Sequence, residues 1–242
     1  MTPPLRALIF DVDGTLAETE EVHRAAFNAA FAGAGLGWDW DQALYRELLA
    51  VTGGKERIAH FLAAHRPAGR TLTGPEIATL HRDKTARYSE LVAGGGMSLR
   101  PGVARLMGEA REAGVVLAIA TTTSADNVDV LLRTTLGPDS PGWFAAIGAG
   151  DVVPVKKPAP DIYLWVLDRL GIDATEAVAF EDSPNGLAAA RGAGIPTVVT
   201  PGLYTEPSDF VGALAVVAGL GEPPDAEAVG LETIARWREG VR

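Results

Sequence analysis

Residues 8–15 read Leu8-Ile9-Phe10-Asp11-Val12-Asp13-Gly14-Thr15, and this stretch decides the fold. The largely apolar run from Leu5 to Phe10 is rich in strand formers and stops at two carboxylates, a glycine and a threonine, which reads as a buried strand entering a tight loop. Two acids one residue apart repel each other and resist desolvation, so placing both at the mouth of a core strand points to a divalent cation. The alternative is an Asx turn with two solvated acids. A calcium loop also opens Asp-x-Asp, but needs Gly at its sixth position and Glu at its twelfth, where this chain has Leu16 and Val22.

The chain has 242 residues, 47% of them hydrophobic, enough for one large domain or two unequal ones. A formal net charge of -10 and a pI near 4.9 oppose nucleic-acid and acidic-membrane partners, and an anionic substrate would need a local basic cluster. The absence of cysteine excludes disulfides and thiolate chemistry and is compatible with a reducing, cytoplasmic setting. An acid by position 11 argues against a signal peptide, and the apolar stretch Phe210 to Leu220 is too short to span a bilayer.

After the first loop the pattern is helical. Val22, Ala26, Ala30 and Ala34 recur with Phe27 and Phe31 beside them, and Glu18, Glu20 and Glu21 crowd a helix start near Thr19. Further helical spacing runs through Leu44, Leu48, Ile58, Phe61, Ile77, Leu80, Tyr88 and Leu91, and nothing between Ala17 and Val92 reads as a strand. Gly94 to Gly96 form a flexible joint, and a helix follows Pro101-Gly102. From there strands and helices alternate: strand Val115–Ala120, helix Asn127–Arg133, strand Phe144–Gly148, helix Asp161–Leu170, strand Val178–Phe180, helix Asn185–Ala193, strand Thr197–Val199, and an edge strand at Leu214–Val217. This predicts an α/β fold, a doubly wound parallel sheet, with an inserted all-helical cap. Core residues would be 1–16 and 98–242, and the cap 17–97. Trp38, Trp40, Trp143 and Trp165 read as packing.

Ligands of open parallel sheets bind beyond the carboxyl ends of the strands. Those ends here carry Asp11 and Asp13, Thr121, the Lys156-Lys157-Pro158 loop, and Glu181-Asp182. Lysine is scarce in this arginine-rich chain, limited to Lys55, Lys84, Lys156 and Lys157, which favours a use for its compact ammonium over surface charge. A metal, a nucleophilic carboxylate, a hydroxyl and a cation together suit a phosphoryl group.

The segments DVDGT, ATTTS, KKPAPDIY and FEDSPNG, in this order, resemble the four motifs of the haloacid dehalogenase-like phosphohydrolases, whose cap is inserted after the first motif. The resemblance implies that Asp11 is the nucleophile and Asp13 the general acid and base. Thr121 and Lys157 would hold the phosphoryl oxygens, assisted by Thr122 and Thr123. It also implies Mg2+ held by Asp11, the Asp13 carbonyl and Asp182, with Glu181 a ligand or a neighbour of one.

In the cap, Thr52-Gly53-Gly54-Lys55-Glu56-Arg57 reads as an anion cradle at a helix start, although it is not a Walker loop. His81, Arg82 and Lys84 form a second basic cluster; both clusters could instead be solvated helix faces. Glu18 and His23 suit sugar hydroxyls or the acid, or equally a helix-start charge and a core histidine. DVDGTLAETEEVH, TGGKERI and HRDKTARY are similar to the CbbY group, which implies a monomeric phosphatase acting on xylulose 1,5-bisphosphate, a sugar bisphosphate that inhibits Rubisco. A β-phosphoglucomutase is the alternative within the fold, weakened by Ser124-Ala125 where mutases carry a basic residue and an amide. A phosphoglycolate-type sugar phosphatase and a catalytically silent binding protein complete the readings, the last opposed by the full motif set.

Overall fold

The structure is a computed structural model, and it describes residues 3–67, 71–205, 210–222 and 228–240. Six parallel strands form one sheet in the order β3-β2-β1-β4-β5-β6. They are β1 (Ala7–Phe10), β2 (Val116–Ala120), β3 (Phe144–Gly148), β4 (Ala177–Glu181), β5 (Thr197–Val199) and β6 (Ala215–Val216). Phe10 is in register with Ile119 on one side and with Phe180 on the other, so Asp11, Thr121 and Asp182 leave the sheet along one rim. The doubly wound sheet expected from the alternating pattern is therefore present.

Both faces of the sheet are covered, which is why its strands are continuously apolar rather than alternating with polar residues. Leu8 and Phe10 pack toward α5 (Val103–Glu112), α6 (Ala125–Leu136) and α9 (Leu231–Gly240), with Phe10 stacked on Phe180 at 4.7 Å. Ala7 and Ile9 point the other way, against α7 (Asp161–Leu170) and α8 (Pro184–Gly192). Helix α9, which buries Ile234, was not anticipated from the sequence.

Four helices fill the chain between β1 and α5: α1 (Glu20–Gly33), α2 (Gln42–Leu48), α3 (Gly54–His65) and α4 (Gly74–Ala93). They enclose a separate aromatic cluster centred on Trp40, whose ring lies 4.7 Å from Phe27, 4.8 Å from Phe31 and 5.4 Å from Phe61. Asn28 brackets the Trp40 backbone, donating to its carbonyl at 3.0 Å and accepting from its N-H at 2.8 Å. Together with Arg24 Nη1, which donates to the same carbonyl at 3.0 Å, that pair satisfies the polar backbone groups of Trp40 in this loop. The two chain passages into this helical block are tied to each other, since Arg100 N donates to Leu16 O at 2.8 Å. Among the described residues, no helix is long and apolar enough to cross a membrane.

Candidate active site

At the end of β1 the backbone turns back on itself, with the N-H groups of Thr15 and Leu16 donating to Val12 O. Gly14 makes the turn possible: its φ of 77° suits glycine, and any Cβ there would strike the Asp182 carboxylate. Asp11 is 7% exposed. Lys157, which precedes a cis peptide to Pro158, sends its ammonium to Asp11 Oδ1 at 2.7 Å, Glu181 Oε1 at 2.7 Å and Ala120 O at 2.8 Å. All three donors of the ammonium are thereby used. Tyr163 Oη donates to the same Glu181 oxygen at 2.5 Å.

One oxygen from each of Asp11, Glu181 and Asp182 lies within 4.8 Å of the others. Three carboxylates against one ammonium leave a surplus of negative charge in a desolvated place, and the titration behaviour follows. Burial, opposed by Lys157 and reinforced by Glu181 and Asp13, pushes Asp11 up to about 7. Burial, Asp11 and Glu181 push Asp182 well above the carboxylate range. Lys157 is held above its ordinary value, because Asp11 and Glu181 outweigh the burial that opposes its charge. This donor set fits a hard divalent cation, which takes oxygen ligands and would offset the surplus.

Asp13 faces a different neighbourhood. Its Oδ1 accepts from Thr19 Oγ1 at 2.5 Å and from His23 Nε2 at 2.9 Å. Asp13 as a carboxylate can only accept, so His23 Nε2 carries a proton toward it, and Lys84 Nζ lies 2.5 Å from the other ring nitrogen, Nδ1. Burial of Asp13 is outweighed by His23, Thr19 and Lys84, so its carboxyl sits well below the usual range. Lys84 itself is brought down to about 7 by burial, assisted by Arg57 and opposed by Asp13. Two carboxylates on one loop are thus driven apart, Asp11 up and Asp13 down.

A cavity of about 400 Å³ opens over these groups, roofed by the helical block. Of the residues expected at the site, Asp11, Asp13, Glu18, His23, Thr52, Gly53, Gly54, Arg57, His81, Lys84, Thr121, Thr122, Thr123, Lys157, Glu181 and Asp182 line it together. His81 is lowered to about 4 by burial and by Lys84, so it is a neutral ring at physiological pH.

Lys55 and Arg82 are not in this cavity; they border a second hollow beside it. Lys55 Nζ meets Asp151 Oδ2 at 2.5 Å, and Lys156 takes the other oxygen of Asp151 at 2.6 Å. Arg82 donates to Thr79 Oγ1 at 2.8 Å. The two cations expected in the cradle are thus separated: Lys55, at the start of α3, turns to Asp151 at the second hollow, while Arg57, two positions on, lines the cavity.

Reading the sequence missed Arg46, Glu20, Asn127, Asn185 and Tyr204, all of which line the cavity. Glu20 accepts from Tyr45 Oη at 2.7 Å, and Tyr45 Oη accepts in turn from Arg57 at 3.1 Å. Asn185 Nδ2 reaches Thr52 Oγ1 at 3.2 Å, joining core to helical block. Arg46 on an amphipathic helix carries no local signal that sets it apart from a solvated arginine.

The fold, with carboxylates and a buried lysine at the strand ends, defines a class of hydrolase. The sequence profile of the haloacid dehalogenase-like hydrolases matches residues 5–194, and the chain belongs to that family. Within it, the chain is similar to protein CbbY of Cupriavidus necator, 54% identical over 91% of this chain and 88% of the relative. Protein CbbY of Cereibacter sphaeroides is 52% identical over 86% of this chain and 90% of its own length. The crystal structure of CbbY from Rhodobacter sphaeroides in complex with phosphate superposes with a TM-score of 0.88 at 48% identity, covering 96% of this chain and 99% of that one. A single-site variant of that protein, solved in complex with xylulose 1,5-bisphosphate, gives 0.87 at the same identity, covering 95% and 98%.

Proposed function

We propose that this phosphatase removes one phosphate from a small sugar bisphosphate, xylulose 1,5-bisphosphate, through a phosphorylated Asp11. The observation that carries the reading is the two-ended charge of one cavity. Asp11, Lys157 and Thr121 lie at its floor, and Arg46 and Arg57 at its helical wall. A monophosphate would need only the floor. The relative solved with xylulose 1,5-bisphosphate supports the same choice.

In this reading Asp11 attacks phosphorus and the sugar oxygen departs. Lys157 and the Thr121 hydroxyl stabilise the charge spread over the phosphoryl oxygens, in a site too dry for water to do so. Asp13 protonates the leaving oxygen and then takes a proton from the water that hydrolyses the acyl phosphate. Its low value in the free enzyme is suited to the second step. The phosphoryl anion beside it favours its protonated form for the first. Asp11, Asp182 and the Asp13 carbonyl would hold Mg2+, with Glu181 anchoring Lys157 beside them. The ion, when bound, neutralises charge on the phosphoryl oxygens. Residues 17–97 act as a cap that shuts water out, hinged where Leu16 meets Arg100, and the protein works as a cytoplasmic monomer.

Phosphate release across a panel of sugar mono- and bisphosphates with Mg2+ tests the assignment. A clear preference for xylulose 1,5-bisphosphate is expected, with Asp11→Asn inactive yet folded. Comparable turnover of monophosphates, or an active Asp11→Asn, would count against it.

A further inference from the structure

The segment that leaves the carboxyl end of β5 touches three parts of the molecule in three successive residues. Leu203 N donates to Glu18 Oε2 at 3.1 Å, where the chain enters the helical block. Thr205 Oγ1 lies 3.3 Å from Asp182 Oδ2, on the carboxylate cluster. Between them Tyr204, 9% exposed, sits inside the aromatic cluster of the helices. Every other buried member of that cluster falls between Phe27 and Leu80, so among the described residues Tyr204 is the core's one contribution to it.

The ring, rather than the hydroxyl, accounts for this placement. Tyr204 Oη is buried without a hydrogen-bond partner. Its ring meets Tyr45 edge-on, centroids 5.6 Å apart, and the Arg46 guanidinium lies over its face at 5.2 Å from the centroid. A guanidinium over an aromatic face is attracted by the ring quadrupole and loses much of its side-chain freedom. The base of the segment is equally constrained: a Cβ on Gly202 would come within 2.8 Å of Asp182 Oδ2 and 3.3 Å of Gly14 Cα. The ring is therefore held at a set distance from the floor of the site.

We propose that Tyr204 is a positioning residue for substrate selection: supplied by the core, it orients Arg46 over the cavity, so that the anion remote from Asp11 is recognised only when the helical block is seated. This rests on the bisphosphate reading. The same segment contacts Glu18 at the entry to the helical block and Asp182 at the cluster. Seating of the block and order at the carboxylates are thereby linked through five residues of chain, 201–205.

The test is steady-state kinetics of the full-length enzyme with Mg2+ on xylulose 1,5-bisphosphate and on p-nitrophenyl phosphate, which has no second anion. Tyr204→Leu keeps apolar bulk and removes the ring face. It should raise KM for the bisphosphate by about tenfold, with a clearly smaller change in kcat and a smaller loss on the aryl phosphate. Tyr204→Phe should restore the wild-type discrimination. Because Tyr204 acts through Arg46, the double variant Tyr204→Leu/Arg46→Ala should lose no more than Arg46→Ala alone. Equal losses on the two substrates, multiplying losses in the double variant, or a Tyr204→Phe as impaired as Tyr204→Leu would overturn the assignment. If Tyr204→Leu does not fold, Tyr204→Met supplies the same comparison. A wild-type enzyme with no preference for the bisphosphate would sink the substrate reading and this assignment together. A preference that survives intact in a folded Tyr204→Leu would sink this assignment alone.

Discussion

Lys157 Nζ lies 2.7 Å from Asp11 Oδ1, a contact that spans 146 residues of chain. It joins the strand at the centre of the sheet to the loop after β3, and with the bonds to Glu181 and Ala120 it leaves the ammonium no freedom to turn. One cation therefore does two things at once: it fixes the orientation of the Asp11 carboxylate and offsets the charge that makes that carboxylate hard to desolvate.

Replacing Lys157 by Met should lower kcat by about a hundredfold or more, the usual cost of losing one preorganised donor in a water-excluded site. Lys157→Arg should not rescue it, because a planar fork cannot reproduce three bonds radiating from one nitrogen. Single-turnover phosphate release measures this, and a loss below tenfold in the Met variant would contradict the role.

Asp13→Asn removes the proton donor of the proposed mechanism while keeping the shape of the side chain. The expected loss on a sugar phosphate is about a hundredfold to ten-thousandfold, the range for general acid catalysis. On p-nitrophenyl phosphate, whose leaving group departs without a proton, the first step should be largely spared. Comparing burst amplitudes on the two substrates decides it; identical losses would mean that Asp13 is not the acid.

Mg2+ should raise the melting temperature more at pH 8 than at pH 5. Asp11 has a folded value of about 7, above its ordinary 3.8. In the metal-free protein this group contributes stability that is full below 3.8 and is lost as pH rises through 7. A cation needs the carboxylate form, so it recovers most where that loss is complete. Asp182→Asn should shrink the shift at pH 8. A shift of the same size at both values would argue against a site built on these carboxylates.

Lys55→Ala should have a small effect. The Lys55–Asp151 pair is 37% and 62% exposed at its side chains, and exposed pairs contribute about 0–1 kcal/mol. Thermal melts and bisphosphate KM should both stay near wild type, whereas Arg57→Ala should raise KM. A KM rise in Lys55→Ala comparable to that in Arg57→Ala would return Lys55 to the binding site.

Much of the molecule is legible in one dimension because its chemistry is tied to strand ends. Asp11, Thr121, Lys157 and Asp182 each follow a recognisable strand or lie in the loop after one. A parallel sheet gathers such ends on one rim whatever the helices do. Strands β3 and β5 and helix α7 have the bounds read from the pattern, since apolar runs and periodic helices carry their signal locally. Helix α9 was not read: its buried positions are few, Ile234 and Arg238, too sparse to show a periodic apolar face.

The helical block is the reverse case. Its sequence announces helices, yet which cation faces the cavity depends on how each helix is rotated against the core, and no local pattern encodes that. Lys55 and Arg57 are two residues apart on α3, about 200° around the axis, so one pairs with Asp151 at the outer hollow while the other bonds Tyr45 at the cavity. Tyr204 belongs to the aromatic cluster only through a contact with residues more than 120 positions away. The sequence by itself determined the sheet, the order of its strands along the chain and the acid-lysine-acid chemistry at their tips, because these follow from local periodicity and short motifs. Only the tertiary structure decided that Asp11 and Asp13 are driven in opposite directions, which basic residues reach the substrate cavity, and that a core tyrosine completes the helical block. Desolvation, helix rotation and long-range packing set those outcomes, and they exist only once the chain has closed on itself.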